Sequence, residues 1–247
     1  MYLNFNKLSQ MQSKNIKLCI VTLFLIGLTD LQGQTVKDID GNGYETVTIG
    51  TQVWMAENLK TTKYGNGDSI GTTTPATLNI TAEKTPKYQW SYGGEESNVA
   101  TYGRLYTWYA ATDSRNVCPT DWHVPTDAEW STSTDYLTNN GYGYKGSASE
   151  ITKSMAATSG WTTNSIEGNV GNDLKSNNRS GYSAFAGGYR YGNGLFNGFG
   201  SYAYWWSDTE NYAATAWFRN LSDHRNDVYR DSSSKQNGIS IHCLRNR

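Results

Sequence analysis

Asp38, Asp40 and Asn42 fall at alternate positions in DIDGNGYETVTIG, and Gly43 follows directly. Three oxygen-bearing side chains at that spacing open an EF-hand-type calcium loop. Such a loop completes its cage with a bidentate Glu at the twelfth position. Counted from Asp38, that position is Ile49, and YETVTI alternates polar and apolar residues as a strand does. The pattern therefore predicts a polar turn between two strands rather than a calcium cage. Asp, Asn and Gly each favour such turns for backbone reasons of their own.

The remaining chemistry-bearing residues are dispersed. His123, His224 and His242 show no short spacing such as HxxxH, so only the fold could gather them around a metal. Serines abound, but no GxSxG nucleophile elbow occurs. Pairs such as Glu95 with Glu96, or Asp208 with Glu210, are unavoidable among 22 acids, and their separation is not written in the sequence. No catalytic residue, metal or cofactor is assigned.

Aromatic residues carry the strongest signal. They make 13% of the 247 residues, against 17% charged. A ring face stacks on the apolar face of a sugar, while a phenol or indole edge offers a hydrogen bond. Tyr189 and Tyr191 in GGYRYGNG, then Phe196 and Phe199, then Trp205 and Trp206 are the candidate ligand-binding rings. Adjacent strand residues point to opposite faces, so one of Trp205 and Trp206 is expected in the core and the other outside.

The elements that must position these rings are legible in part. TVKDI and YETVTIG flank DGNG as a hairpin, and QVWMAENL follows as a third strand. Residues 60–99 read as a long polar surface excursion with turn signals. Tyr102, Leu105, Trp108 and Tyr109 form an apolar stripe at helical spacing, which predicts a first helix. Thr126 and Glu129 form a capping box that predicts a second, with Trp130, Thr134 and Leu137 on its inner face and Asn139-Asn140-Gly141 at its end. Residues 141–200 are rich in Gly, Ser and Asn with regularly placed rings, so ordered loops are expected there. YAYWWSDT, TAWFRNL, DVYRDS and GISIHCLRN close the chain as strands.

Lys14 and Lys17 precede the apolar run LCIVTLFLIGL. That run is short for a membrane span and suits a secretory signal. Residues 1–33 are read as a signal peptide and 34–247 as a single mature domain without a stable membrane span. Cys19 opens the apolar run instead of closing it, so it is misplaced for a lipid anchor. Cys118 and Cys243 then remain, and an even count in an exported chain predicts a disulfide between them. A net charge of −1 shows no basic face for nucleic acid.

The stretches DIDGNGYETVTIGTQVWMAENL, YGRLYTWYAA, CPTDWHVPTDAEW, SGYSAFAGGYR, YWWSDTE and NGISIHCLRN occur in that order. Together they resemble the Fibrobacter succinogenes major paralogous domain, a family of exported bacterial proteins, from about residue 35 to 245. WHVPTDAEW is also similar to the LPTEAEW helix start of the formylglycine-generating enzyme and its relatives. The resemblance implies an α+β, C-type-lectin-like fold: twisted antiparallel strands, two helices and long irregular loops that carry specificity. The strand, helix, helix, loop, strand order agrees with α+β. The enzyme's close cysteine pair has no counterpart here, and neither EPN nor QPD occurs, so calcium-dependent sugar binding is not carried over. The expected role is non-enzymatic binding of a glycan or a surface protein, in a secreted, cell-surface or periplasmic bacterial protein. A divergent metal-dependent enzyme related to the formylglycine-generating enzyme, or a structural surface component, is the alternative.

Overall fold

The computed structural model describes residues 35–246. The expected signal peptide lies outside the described residues. The described chain falls in one compact unit, Gly33–Arg247.

Strands β1 (Val36–Lys37) and β2 (Gly43–Tyr44) pair antiparallel around the Asp38 turn. Asp38 closes that turn by itself. Its Oδ1 accepts from the backbone amides of Asp40 and Asn42, and its Oδ2 accepts from the Asn42 amide and the Tyr44 hydroxyl. Asp40 is held by the Thr62 amide and hydroxyl and by Lys63. Both carboxylates thus brace a turn and tie it to the next loop, as expected from the strand alternation that replaces a calcium ligand at Ile49.

Strand β3 (Thr46–Ile49) pairs with β4 (Gln52–Met55). The expected second strand is therefore split, one half for each hairpin. Strand β5 (Gln89–Trp90) pairs with β6 (Leu105–Tyr106). Residues 60–99 are less superficial than their polarity predicts: Tyr64, Ile70, Ile80 and Trp90 are buried. Arg190 pins part of this loop by donating to the carbonyls of Ala76 and Leu78, with its guanidinium 4.0 Å over the Trp90 ring.

The expected first helix does not form as one piece. Helix α1 (Val99–Tyr102) stops at Gly103, β6 intervenes, and α2 (Trp108–Ala111) starts from a Thr107 cap. The reason is local. Gly103 has φ +69°, and a Cβ there would meet Asn58 and the Leu59 carbonyl at 2.5–2.9 Å. Leu105 and Tyr106 are then drawn into pairing with Gln89 and Trp90, and tertiary hydrogen bonds override the helical stripe.

Strand β7 (Trp122–His123) leads into α3 (Asp127–Asn139), which carries the expected capping box. Its buried face is Trp130, Ser133 and Leu137, with Ser133 in place of the expected Thr134. The short α4 (Thr152–Met155) follows, then the hairpin β8 (Gly187–Arg190) and β9 (Phe196–Phe199). Strands β10 (Tyr202–Tyr212), β11 (Thr215–Ser222) and β12 (Tyr229–Ser234) form an antiparallel sheet.

Of the final predicted strand only β13 (Leu244–Arg245) is regular. It enters a four-stranded sheet of order β3-β4-β13-β7. Residues 239–243 ahead of it are buried and form a seam, bonded in turn to Tyr106, Trp206, Leu59 and Met55. Cys243 in this seam is disulfide-bonded to Cys118. The architecture is α+β, with strands, four α-helices and several small sheets among the described residues.

Two hydrophobic cores result, one holding Tyr106, Trp206, Ile241 and the disulfide, the other Trp54, Trp130, Tyr182 and Trp205.

Candidate functional site

Strand alternation sorts the candidate rings. On β8, Arg190 turns inward and is fully buried, while Tyr189 and Tyr191 on either side turn outward. On β10, Ala203 and Trp205 enter the second core, and Tyr202, Tyr204 and Trp206 share the opposite face. That face emerges from the first core: Trp206 is fully buried, whereas Tyr204 and Tyr202 are half-buried.

The two outward sets meet. Ring centroids lie 4.9 Å apart for Tyr191 and Tyr189, 4.8 Å for Tyr189 and Tyr204, and 5.9 Å for Tyr204 and Tyr202. His224 continues the row 5.6 Å beyond Tyr202. Tyr202 and Tyr204 are tilted by only 34° and make a shared floor. Tyr189 stands at 64° to Tyr204, and His224 at 88° to Tyr202. Gly198 makes this packing possible, because a Cβ there would lie 2.8 Å from the Tyr202 ring and 3.2 Å from the Tyr189 ring.

The row itself presents phenols. Tyr189 and Tyr191 share a hydroxyl–hydroxyl hydrogen bond of 2.8 Å. Burial pushes the Tyr204 phenol above its ordinary pKa, and burial together with the Tyr191 hydroxyl does the same to Tyr189. Both therefore stay neutral donors. Nearby, Arg225 forks onto Asp227, and the Tyr229 hydroxyl donates to Asp231, a hydrogen bond and not a charge pair. His224 contacts Asp223 at 2.6 Å and Ser222 at 2.8 Å. Neutral rings rimmed by satisfied polar groups can stack an apolar face and bond hydroxyls, with no attraction for a highly charged ligand.

Of the candidates named from sequence, the structure brings Tyr189 and Tyr191 into this row. It withdraws Trp205 and Trp206, both fully buried. They do face opposite sides of β10 as expected, but each side is a core, so neither is exposed. Trp205 donates to the Asn58 amide oxygen and Trp206 to the Tyr106 carbonyl. Phe196 and Phe199 lie against Tyr92, and Phe199 also packs on Tyr102, in a separate ring cluster. Sequence reasoning missed Tyr202 and Tyr204. The available signal was their alternation in YAYWW, two tyrosines on one face of a strand otherwise occupied by core residues.

The histidines occupy three different settings. His123 lies between Asn246 and Glu129, and His224 ends the tyrosine row. His242 is fully buried, stacked 4.6 Å from Tyr182. Among the described residues no group of three or more His, Cys, Asp or Glu is arranged to hold a metal ion.

The sequence profile of the Fibrobacter succinogenes major domain matches residues 47–245. The chain belongs to the Fibrobacter succinogenes major domain family. No curated protein and no solved structure matches it. The family match begins within β3, so the Asp38 turn precedes it, although the sequence resemblance was drawn from about residue 35. Within the major domain lie the capped helix, the disulfide and every ring of the tyrosine row. No helix among the described residues is long and apolar enough to cross a membrane.

Proposed function

We propose that this member of the family is an exported, non-enzymatic binding protein with a C-type-lectin-like fold, secreted or held at the bacterial surface or in the periplasm. Its ligand is an uncharged glycan, bound on Tyr189, Tyr191, Tyr202 and Tyr204. The observation that carries the reading is the tyrosine row itself: half-exposed neutral rings in mutual contact, with Arg225 beside them paired to Asp227. The Cys118–Cys243 disulfide favours an oxidising compartment and takes both thiols out of nucleophilic chemistry.

A glycan and polysaccharide array on the mature chain tests this, run with calcium and with chelator. Binding to neutral glycans in both conditions, lost in Tyr189→Ala and Tyr204→Ala, is the expected result. An array without signal, or signal unchanged by both substitutions, overturns it. Binding that needs calcium would move the site elsewhere, because no carboxylate cage lies in the row.

A further inference from the structure

A second site lies between the outer face of α3 and the turn that joins β3 to β4. Thr132, Asp135, Tyr136 and Asn139 stand at i, i+3, i+4 and i+7, so they share one stripe of the helix. The other stripe, Trp130, Ser133 and Leu137, is buried. Gly50 in the turn has φ +63°, and a Cβ on it would lie 2.9 Å from Cδ2 of Tyr136. The turn therefore rests against the Tyr136 ring, and glycine is what permits both the backbone angle and the approach.

Between turn and stripe is a cavity of about 480 Å³. Small-molecule pockets run from about 300 to 1,000 Å³ and are mostly apolar, with a few polar groups. This lining follows that pattern. Ile49, Gly50 and the Tyr136 ring supply apolar surface, and Tyr136 is 37% exposed. Thr51, Thr132, Asn139 and the cap residue Asn140 supply neutral polar groups.

The electrostatics have one sign. Asp135 is the only charged residue lining the cavity, and its carboxylate has no hydrogen-bond or ion-pair partner among the described residues. α3 ends here, at Asn139, so the negative pole of its dipole lies at the same place. A cation is favourable at that pole, yet the last turn of α3 holds no basic residue. Arg179, beyond the cap, is engaged by the Gly141 carbonyl and lies 5.0 Å over the Tyr142 ring.

We propose that this cavity binds a small organic ammonium. Its charge pairs with Asp135 at the negative end of α3, and its apolar body lies on Ile49, Gly50 and the Tyr136 ring. The ring adds a cation–π attraction. The carboxylate and the helix pole select positive charge independently of each other, and an anion meets only repulsion. A bare metal ion is a poorer match, because one carboxylate falls short of the oxygen set such an ion takes and the apolar surface would go unused. The cavity is separate from the tyrosine row and does not rest on glycan binding.

The test is an NMR titration of the mature chain with benzylammonium chloride, its neutral isostere benzyl alcohol, sodium benzoate and glucose as separate arms. The backbone amides of Gly50, Thr51, Asn139 and Asn140 are followed. Benzylammonium is expected to give saturable shifts there. Benzyl alcohol should bind about tenfold more weakly, lacking both the ion pair and the cation–π contact. Benzoate and glucose should leave these amides unmoved. Asp135→Asn should lower benzylammonium affinity about fivefold, the upper end for an exposed ion pair. Thermal unfolding checks that Asp135→Asn is folded, and the comparison of benzylammonium with benzyl alcohol on the unchanged protein stands whatever that variant does. No saturable shift with benzylammonium, benzyl alcohol bound as tightly, or unchanged affinity in folded Asp135→Asn overturns the site. Shifts confined to the amides of Tyr189 and Tyr204 would put the probe on the tyrosine row and overturn it too. A response of the four amides to benzoate or glucose overturns the ammonium as occupant.

Discussion

Trp205 and Trp206 are neighbours in the chain and belong to different cores. Trp205 packs against Trp130, Tyr182 and His242, and Trp206 lies with Tyr106, Phe218 and Ile241. Strand β10 is thus the wall between the cores, and each indole N–H is satisfied across that wall's own side, by Asn58 and by Tyr106. Replacing either by Ala should cost about 3–5 kcal/mol, the range for deleting a buried large aromatic. Urea unfolding of the two variants checks it. A loss below about 1 kcal/mol at either position would contradict the two-core description.

Removal of the disulfide should destabilise strongly. It links positions separated by 125 residues, and the chain-entropy model assigns a loop of that size about 5 kcal/mol. Cys118→Ala/Cys243→Ala is expected to lose about 2–5 kcal/mol by denaturant titration, with the oxidised parent as reference.

Acid should weaken the fold through His242. Burial pushes its pKa from 6.5 down to about 3, and the Met55 backbone nearby offsets only part of this. Between those values the unfolded chain binds the proton and the folded chain does not. Stability therefore falls as pH drops from about 6.5 towards 3, by up to about 1.4 kcal/mol per pH unit from this group. His242→Phe should flatten that portion of the profile. Stability curves of parent and variant at pH 7, 6, 5 and 4 measure it, and parallel curves would rule the histidine out.

Lys153 is an internal brace. Its ammonium bonds the carbonyls of Asn169 and Asn172 and the side chain of Asn177, holding residues 169–177 around it. Burial lowers its pKa, and the charge of Asp173 opposes this in part. Lys153→Met orphans several buried acceptors and should cost about 1–3 kcal/mol, with hydrogen exchange rising first in that loop.

Tyr189→Phe separates the ring from its hydroxyl. It keeps the ring contacts with Tyr191 and Tyr204 and deletes the 2.8 Å bond to Tyr191. A several-fold loss of glycan affinity with stability changed by less than about 1 kcal/mol is expected, a neutral hydrogen bond being worth about that much. An affinity loss as large as that of Tyr189→Ala would assign the whole contribution to the hydroxyl.

The legible parts of the molecule are those set by neighbours in the chain. Thr126 and Glu129 made the α3 start readable because both capping partners lie within one helical turn. The Asp38 turn was readable for the same reason, since its carboxylate bonds residues only two to six positions further on. The helix expected over Tyr102–Tyr109 failed where distant backbone intervened: Asn58 and Leu59 crowd Gly103, and Gln89 and Trp90 recruit the next two residues.

The candidate site divides in the same way. Sequence alone determined the family, the cysteine pair and the aromatic wealth, and offered Tyr189 and Tyr191 as candidates, since composition and motif order are properties of a linear chain. It could not decide that both tryptophans are core, because alternation specifies opposite faces and not whether a second layer covers each. Tertiary structure alone joined β8 to β10, set four tyrosines and His224 in contact, and laid the Gly50 turn against Tyr136. Those are contacts between residues far apart in the chain, created by packing two cores against one strand.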